Sequence, residues 1–236
     1  MRGKLSRILP LGIALICLGV ALLTVGCSSG KARFRFVLAA TSVPTTVDLF
    51  LDGKSVQTGI GYGQSATYRT ATSGSRKFEL FATGTTTSPY VNASVSLGSK
   101  DTTVIAEGLY PASITLAPYT DDNTAPATGN IKLRVINAAP SVAPSGQGVD
   151  VYVVPTQQGI AGVNPQFTLA YPNASNYLSL SANTYDVIMT VQGTQNIVSS
   201  LTGTYPLTSG QIRTLVILDA PNGGGQYSLI ELNDLN

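Results

Sequence analysis

The chain repeats itself, and this constrains its fold more than any other feature. Residues 32–43, Ala-Arg-Phe-Arg-Phe-Val-Leu-Ala-Ala-Thr-Ser-Val, align with residues 131–142, Ile-Lys-Leu-Arg-Val-Ile-Asn-Ala-Ala-Pro-Ser-Val. Val47-Asp48-Leu49-Phe50-Leu51 then aligns with Val149-Asp150-Val151-Tyr152-Val153, after a short insertion in the Gly/Ser/Pro stretch 144–148. Extra residues cost little in such a loop. Tyr62, Ser65 and Tyr68 parallel Tyr171, Ser175 and Tyr177, and Lys77-Phe78-Glu79-Leu80 parallels Thr184-Tyr185-Asp186-Val187. Two copies of one unit are expected, residues 32–120 and 131–236. Residues 121–130 between them hold no large apolar side chain and read as an exposed linker. Each copy carries a full set of strands and is expected to fold alone.

Within each copy the hydrophobic period is two. Val47, Leu49 and Leu51 share one face, as a half-buried strand requires. The same alternation places Val149, Val151 and Val153 inward, with Asp150 and Tyr152 outward or at an edge. Asp52-Gly53 supplies the positive backbone angles of a tight hairpin. Arg33, Arg35 and Val37 alternate with Phe34, Phe36 and Leu38. Thr103-Val104-Ile105-Ala106 and Leu215-Val216-Ile217-Leu218 are near-continuous apolar runs, the mark of a central strand. After the N-terminal stretch no segment shows ten or more residues of helical periodicity. About seven short strands over roughly 100 residues fit an immunoglobulin-like sandwich. The expected fold is therefore all-β: two tandem immunoglobulin-like β-sandwich domains after an N-terminal signal peptide.

That leader has its own logic. Arg2, Lys4 and Arg7 form a positive region, and residues 8–25 are apolar apart from Pro10 and Thr24. Charge, apolar stretch and small residue, in that order, make an export signal. Leu23-Thr24-Val25-Gly26-Cys27 followed by Ser28-Ser29-Gly30 resembles a bacterial lipoprotein signal, with Thr24 where Leu is usual. The expected processing is a signal peptide over residues 1–26, a lipid on the Cys27 thiol, and a short lipidated tether over residues 27–31. The competing reading is an uncleaved membrane anchor, since roughly 18 apolar residues can just span a bilayer. Both readings place the bulk of the chain outside the cytoplasm, held at the bacterial membrane on its periplasmic side or at the cell surface. Losing Arg2, Lys4 and Arg7 from the 14 Lys+Arg leaves 11 against 12 acidic residues. A near-neutral surface without a basic cluster argues against nucleic acid as a partner.

The repeated strand beginning Arg35-Phe36-Val37-Leu38-Ala39-Ala40, the Val-Asp strand, the Tyr…Ser…Tyr spacing and the later apolar strand form one ordered pattern. This pattern resembles the bacterial domain-of-unknown-function family numbered 4397, whose members are similar tandem β-domains in exported or lipid-anchored proteins. The resemblance spans both copies and is closer in the second, at Arg134-Val135-Ile136-Asn137-Ala138-Ala139-Pro140. In the first copy Leu38 stands where the pattern has Asn, and Thr41 where it has Pro. The family carries no assigned chemistry, so the resemblance implies no catalytic residue.

A search for chemistry residue by residue gives the same answer. The sequence contains no His, and acylation of Cys27 would remove the only thiol beyond the signal. Ser–His–Asp, Cys–His and His-based metal sites are thereby excluded. Asp48 and Asp52 on one strand would lie roughly 13 Å apart, too far for a glycosidase pair. Both read as solvated strand positions. Asp121-Asp122-Asn123 offers oxygen ligands for Ca²⁺ but lacks a distal bidentate acid, and reads as solvated linker. Tyr62, Tyr68, Tyr171 and Tyr177 recur at matching places and suit core or corner positions better than a sugar-binding platform. Asn92-Ala93-Ser94 and Asn173-Ala174-Ser175 are glycosylation sequons by pattern alone. Gly223-Gly224-Gly225 sits between two strands and reads as a hairpin connection. No metal or cofactor is expected. The expected function is that of a non-catalytic, lipid-anchored cell-envelope binding or structural module contacting protein or polysaccharide. The alternatives are a carboxylate-dependent hydrolase of envelope glycans and a purely architectural spacer.

Overall fold

The computed structural model describes residues 30–142 and 147–234. Cys27 and residues 1–26 lie outside the described residues. Among those described, no helix is long and apolar enough to cross a membrane.

Among the described residues all regular structure apart from one short 3-10 turn is β. The N-terminal half contributes β1 (Lys31–Leu38), β2 (Val47–Leu51), β3 (Lys54–Ile60), β4 (Arg69–Thr72), β5 (Gly74–Ala82), β6 (Val91–Leu97), β7 (Thr102–Glu107) and β8 (Thr115–Thr120). The C-terminal half contributes β9 (Asn130–Asn137), β10 (Gly148–Pro155), β11 (Phe167–Ala170), β12 (Asn173–Ala174), β13 (Leu178–Ser181), β14 (Asn183–Val191), β15 (Gly203–Leu207), β16 (Ile212–Leu218) and β17 (Ser228–Asn233). In the first half one sheet runs β4-β1-β7-β8 and the other β3-β2-β5-β6. In the second, one runs β12-β9-β16-β17, with β13 also on β9, and the other β11-β10-β14-β15. β1 pairs in parallel with β7, and β9 in parallel with β16; the remaining pairs are antiparallel. Asp52 and Gly53 turn the β2–β3 hairpin at φ 51° and 76°, as the Asp-Gly pair requires.

Each half buries its own core. Phe34, Phe36 and Leu38 of β1 pack against Leu49 of β2 and Phe78 and Leu80 of β5, with Phe34 and Phe78 edge to face at 5.2 Å. In the second half Leu133 and Val135 meet Val149, Val151 and Val153, joined by Val187 and Met189. The valines of β10 thus point inward as their alternation requires.

The opposite face of β10 departs from the expectation. Asp150 and Tyr152 are buried at 6% and 4% exposure, because the segment after β10 folds back and sets Ile160 and Val163 against Tyr152, Val154 and Ile188. Asp150 accepts hydrogen bonds from Thr168 Oγ1 at 2.5 Å and from the Gly193 amide at 2.7 Å. Asp48 does the same one repeat earlier, accepting from the amides of Gly59 at 2.8 Å and Gly84 at 2.9 Å. Gly59, Gly84 and Gly193 all have φ between 70° and 80°, a conformation only glycine adopts without strain. The Asp of each Val-Asp strand is therefore a clasp between its strand and a neighbouring turn, not a solvated position. The alternation gave its side of the sheet but no signal that the side would be covered.

Candidate functional site

The sheets β4-β1-β7-β8 and β12-β9-β16-β17 each have a second face, turned away from their own cores. These two faces pack against each other. Val37, Ala39 and Ile105 meet Ile136, Ala138, Val216, Leu218 and Leu232 in one buried cluster. Every residue of β7 is buried, Val104 and Ala106 in the N-terminal core and Ile105 in this shared face. The apolar runs of β7 and β16 thus have both sides covered.

Buried charge gathers at one end of the shared face, beside a cavity of about 490 Å³ whose wall includes Tyr119, Asp121, Arg134 and Tyr177. Arg35 of β1 donates to Asp234 beyond β17, with Nη1 reaching the Asn233 carbonyl at 3.0 Å. Arg134 of β9 donates to Asp121 beyond β8 at 2.5 Å, with Nη1 on the Thr120 carbonyl at 2.9 Å. Each arginine thus pairs with the acid of the other half. Nε of Arg35 donates to Thr103 Oγ1 at 2.8 Å and that of Arg134 to Thr214 Oγ1 at 3.1 Å. Thr103 bonds in turn to Asp121, and Thr214 to Asp234 at 2.5 Å. Tyr68 donates to Asp121 at 2.6 Å and Tyr177 to Asp234 at 2.5 Å. The Arg35 and Arg134 guanidinium carbons lie 5.0 and 4.6 Å from the Tyr68 and Tyr177 ring centroids. Burial first, and the neighbouring carboxylates with it, push both phenols above their ordinary range, so they remain donors. Both arginines and both aspartates are at most 3% exposed. Charges so far from water persist only when paired and hydrogen-bonded, and every one of these is.

This overturns the solvated reading of Asp121, which is 2% exposed. Asp122 instead takes Lys132 Nζ at 2.7 Å. Hydrogen bonds from Lys132 and Thr124 outweigh burial and hold Asp122 down at about 2. Both acids are thus engaged by cations of the protein. Among the described residues no group of three or more His, Cys, Asp or Glu is placed to hold a metal ion. Deeper in the shared face lies Glu107, 1% exposed, which accepts from Tyr119 Oη at 3.1 Å. Burial, offset only in part by that bond, raises its carboxyl to about 7.

At the other end of the shared face lies a second cavity, of about 380 Å³, with Thr41 and Leu109 from the N-terminal half and Pro140, Ser141, Tyr171 and Asp219 from the C-terminal half in its wall. The Ser141 hydroxyl donates to Asp219 Oδ1 at 2.7 Å, and its amide to Oδ2 at 3.3 Å. Gly223 and Gly224, which turn the chain between β16 and β17 at φ 80° and 81°, complete the wall. Of the four repeated tyrosines, Tyr68 and Tyr177 are spent in the charged cluster. Tyr62 donates to the Asp219 carbonyl at 2.7 Å across the two halves. Tyr171 is different: its ring lines the cavity. The repeat pairs Tyr62 with Tyr171 and Tyr68 with Tyr177, but nothing in it marks Tyr171 off from Tyr62.

Of the solved structures compared, a leucine-rich repeat protein from Bacteroides thetaiotaomicron VPI-5482 is 12% identical, with a TM-score of 0.20 over 78% of this chain and 25% of its own. The chain thus spans a quarter of that protein. A candidate cell adhesion protein from Bacteroides fragilis NCTC 9343 is 11% identical, with a TM-score of 0.21 over 86% of this chain and 97% of its own. No curated protein matches the chain. The resemblance read from the repeated motifs extended over both copies and was closer in the second, whereas the family match begins in β1 and ends just after β9. Residues 32–144 match the family described as a domain of unknown function, DUF4397.

Proposed function

We propose that this chain is a non-catalytic binding module of the bacterial cell envelope, tethered outside the cytoplasm by a lipid on Cys27 and recognising an envelope polysaccharide. In this reading residues 32–120 and 131–236 are tandem immunoglobulin-like sandwiches that arose as a repeat of one unit. The equal strand orders and the pairwise equivalence of Arg35 with Arg134 and Tyr68 with Tyr177 support it. The observation that carries the reading is the shared face: buried Arg–Asp pairs fix two β units against each other, and a cavity opens at the opposite end of the contact. A spacer needs rigidity but no cavity. A hydrolase needs two carboxylates facing its substrate, whereas among the described residues the wall of this cavity holds one, Asp219.

The test is co-sedimentation of the purified full chain with insoluble envelope polysaccharide from a lipoprotein-producing bacterium, combined with mass spectrometry of the N-terminus. Saturable sedimentation and a diacylated Cys27 are expected. Absence of sedimentation would remove the polysaccharide-binding role. An intact Met1 with an unmodified thiol would replace the lipid with a membrane-spanning anchor.

A further inference from the structure

Building on the binding role proposed above, we infer that the cavity between Leu109 and Tyr171 is a subsite for a single neutral pyranose ring. Four observations lead there. First, Tyr62 and Tyr171 occupy equivalent places, shown by the bridges of Ser65 to Val37 and of Ala174 to Ile136 at equal distances along the chain. Tyr62 spends its hydroxyl on the Asp219 carbonyl. Among the described residues the Tyr171 hydroxyl has no such partner, and its ring forms cavity wall. Second, Leu109 and Pro140 also line the cavity, and Leu109 is 43% exposed, rare for so large an apolar side chain in this protein. Together with Tyr171 they give an apolar wall of the kind that the C–H face of a sugar covers.

Third, Asp219 offers hydrogen-bond acceptors. A carboxylate has about four lone-pair sites, and Ser141 fills two through its hydroxyl and amide. Asp219 borders the cavity, and Ser141 leaves part of its acceptor capacity unfilled. Fourth, among the described residues no Lys or Arg lines this space. An anion would meet a carboxylate without a counter-charge. Burial also raises the Asp219 carboxyl, with the Ser141 hydrogen bonds opposing it only in part, which weakens the site for a cation. What remains is a ligand rich in neutral donors with one apolar face. The volume of about 380 Å³ suits one sugar ring with bridging water, and is at the small end of ligand pockets.

The experiment is saturation-transfer difference NMR on the full chain, purified in a detergent without sugar headgroups. The probes are methyl glycosides of glucose, galactose, mannose and rhamnose, with tetramethylammonium chloride as a cationic probe. At least one glycoside should show saturable transfer to its ring protons, with Kd on the order of 1 mM. Tyr171→Ala should weaken it roughly tenfold. Leu109→Asp, at a side chain 43% exposed, should weaken it similarly. Ile197→Asp, at another exposed apolar side chain and outside the cavity wall, should leave it unchanged. The inference is overturned if no glycoside binds, if only tetramethylammonium binds, or if glycoside binding survives both Tyr171→Ala and Leu109→Asp. Retention of wild-type co-sedimentation with envelope polysaccharide by Tyr171→Ala would sink this subsite alone. Loss of sedimentation by the wild type would sink the wider reading.

Discussion

Arg35 and Asp234 stand 199 residues apart in the chain and meet as a buried ion pair. Arg134 and Asp121 form its counterpart, and Arg134 also lies 3.8 Å from Asp234, so the two pairs make one cluster. Removing a single partner strands a charge out of water, which costs about 3–5 kcal/mol, whereas replacing both with apolar groups of similar size costs far less. Arg35→Leu alone should therefore destabilise the chain by about 3–5 kcal/mol in urea denaturation. Adding Asp234→Leu should recover part of that loss, the rest being held back because Tyr177 and Thr214 also lose their acceptor. Equal and additive losses from the two changes would show that the pair is not coupled.

The sequence made one face of each strand legible and left the other unexplained. Phe34, Phe36 and Leu38 were visible as a core stripe. Arg35 and Val37 alternate with that stripe, and both are buried by the second half of the chain. The available signal was the apolar run Val104-Ile105-Ala106, which does imply two covered sides. It could not say that the second cover would be another sheet pair about a hundred residues away. Asp121 was obscured for a similar reason. A polar stretch between repeats has the composition of a linker, and only tertiary pairing with Arg134 distinguishes its first residue from the exposed ones that follow. The cavity residues come from separate loops, which no local pattern relates.

The shared face changes what separating the halves should do. Residues 30–124 alone would expose Val37, Ala39 and Ile105 and leave Arg35 and Asp121 without their partners. Each large apolar side chain returned to water forfeits about 1.5–3 kcal/mol. Because Arg35 and Asp121 occupy the places that Arg134 and Asp234 hold in the other half, one fragment carries both kinds of contact. A second copy of that fragment can supply them in a two-fold arrangement. Sedimentation equilibrium of the fragment should show a dimer that Arg35→Ala disrupts. A folded, monomeric fragment would mean that the face adds little to the stability of either half.

The two clasps offer a test within one strand. Val151 is fully buried, and Val151→Asp places an unpaired charge among apolar groups. That change should cost several kcal/mol, comparable to the whole stability of an ordinary domain. Asp150→Ala removes the acceptor for Thr168 and Gly193 and should cost about 2–3 kcal/mol. Asp48→Ala should behave alike through Gly59 and Gly84. Thermal denaturation of the three variants decides the matter. Aspartate changes within about 0.5 kcal/mol of wild type would return both residues to the role of ordinary surface positions.

Glu107 should give the protein a pH dependence of unusual sign. Tyr119 donates to it, Tyr171 faces it, and burial between the halves raises its carboxyl from 4.5 to about 7. Between those values the folded chain holds a proton that the unfolded chain has lost, so this group makes stability fall as pH rises. Its contribution is fully favourable below about pH 4.5, declines through pH 7, and is flat above. A shift of this size corresponds to about 3 kcal/mol. Glu107→Gln keeps an acceptor for Tyr119 but cannot ionise. The variant should match wild type near pH 4 and exceed it by about 3 kcal/mol at pH 8. Urea denaturation across that range measures the difference. Parallel curves for the two proteins would mean that Glu107 titrates as it does in water, and that water reaches the shared face.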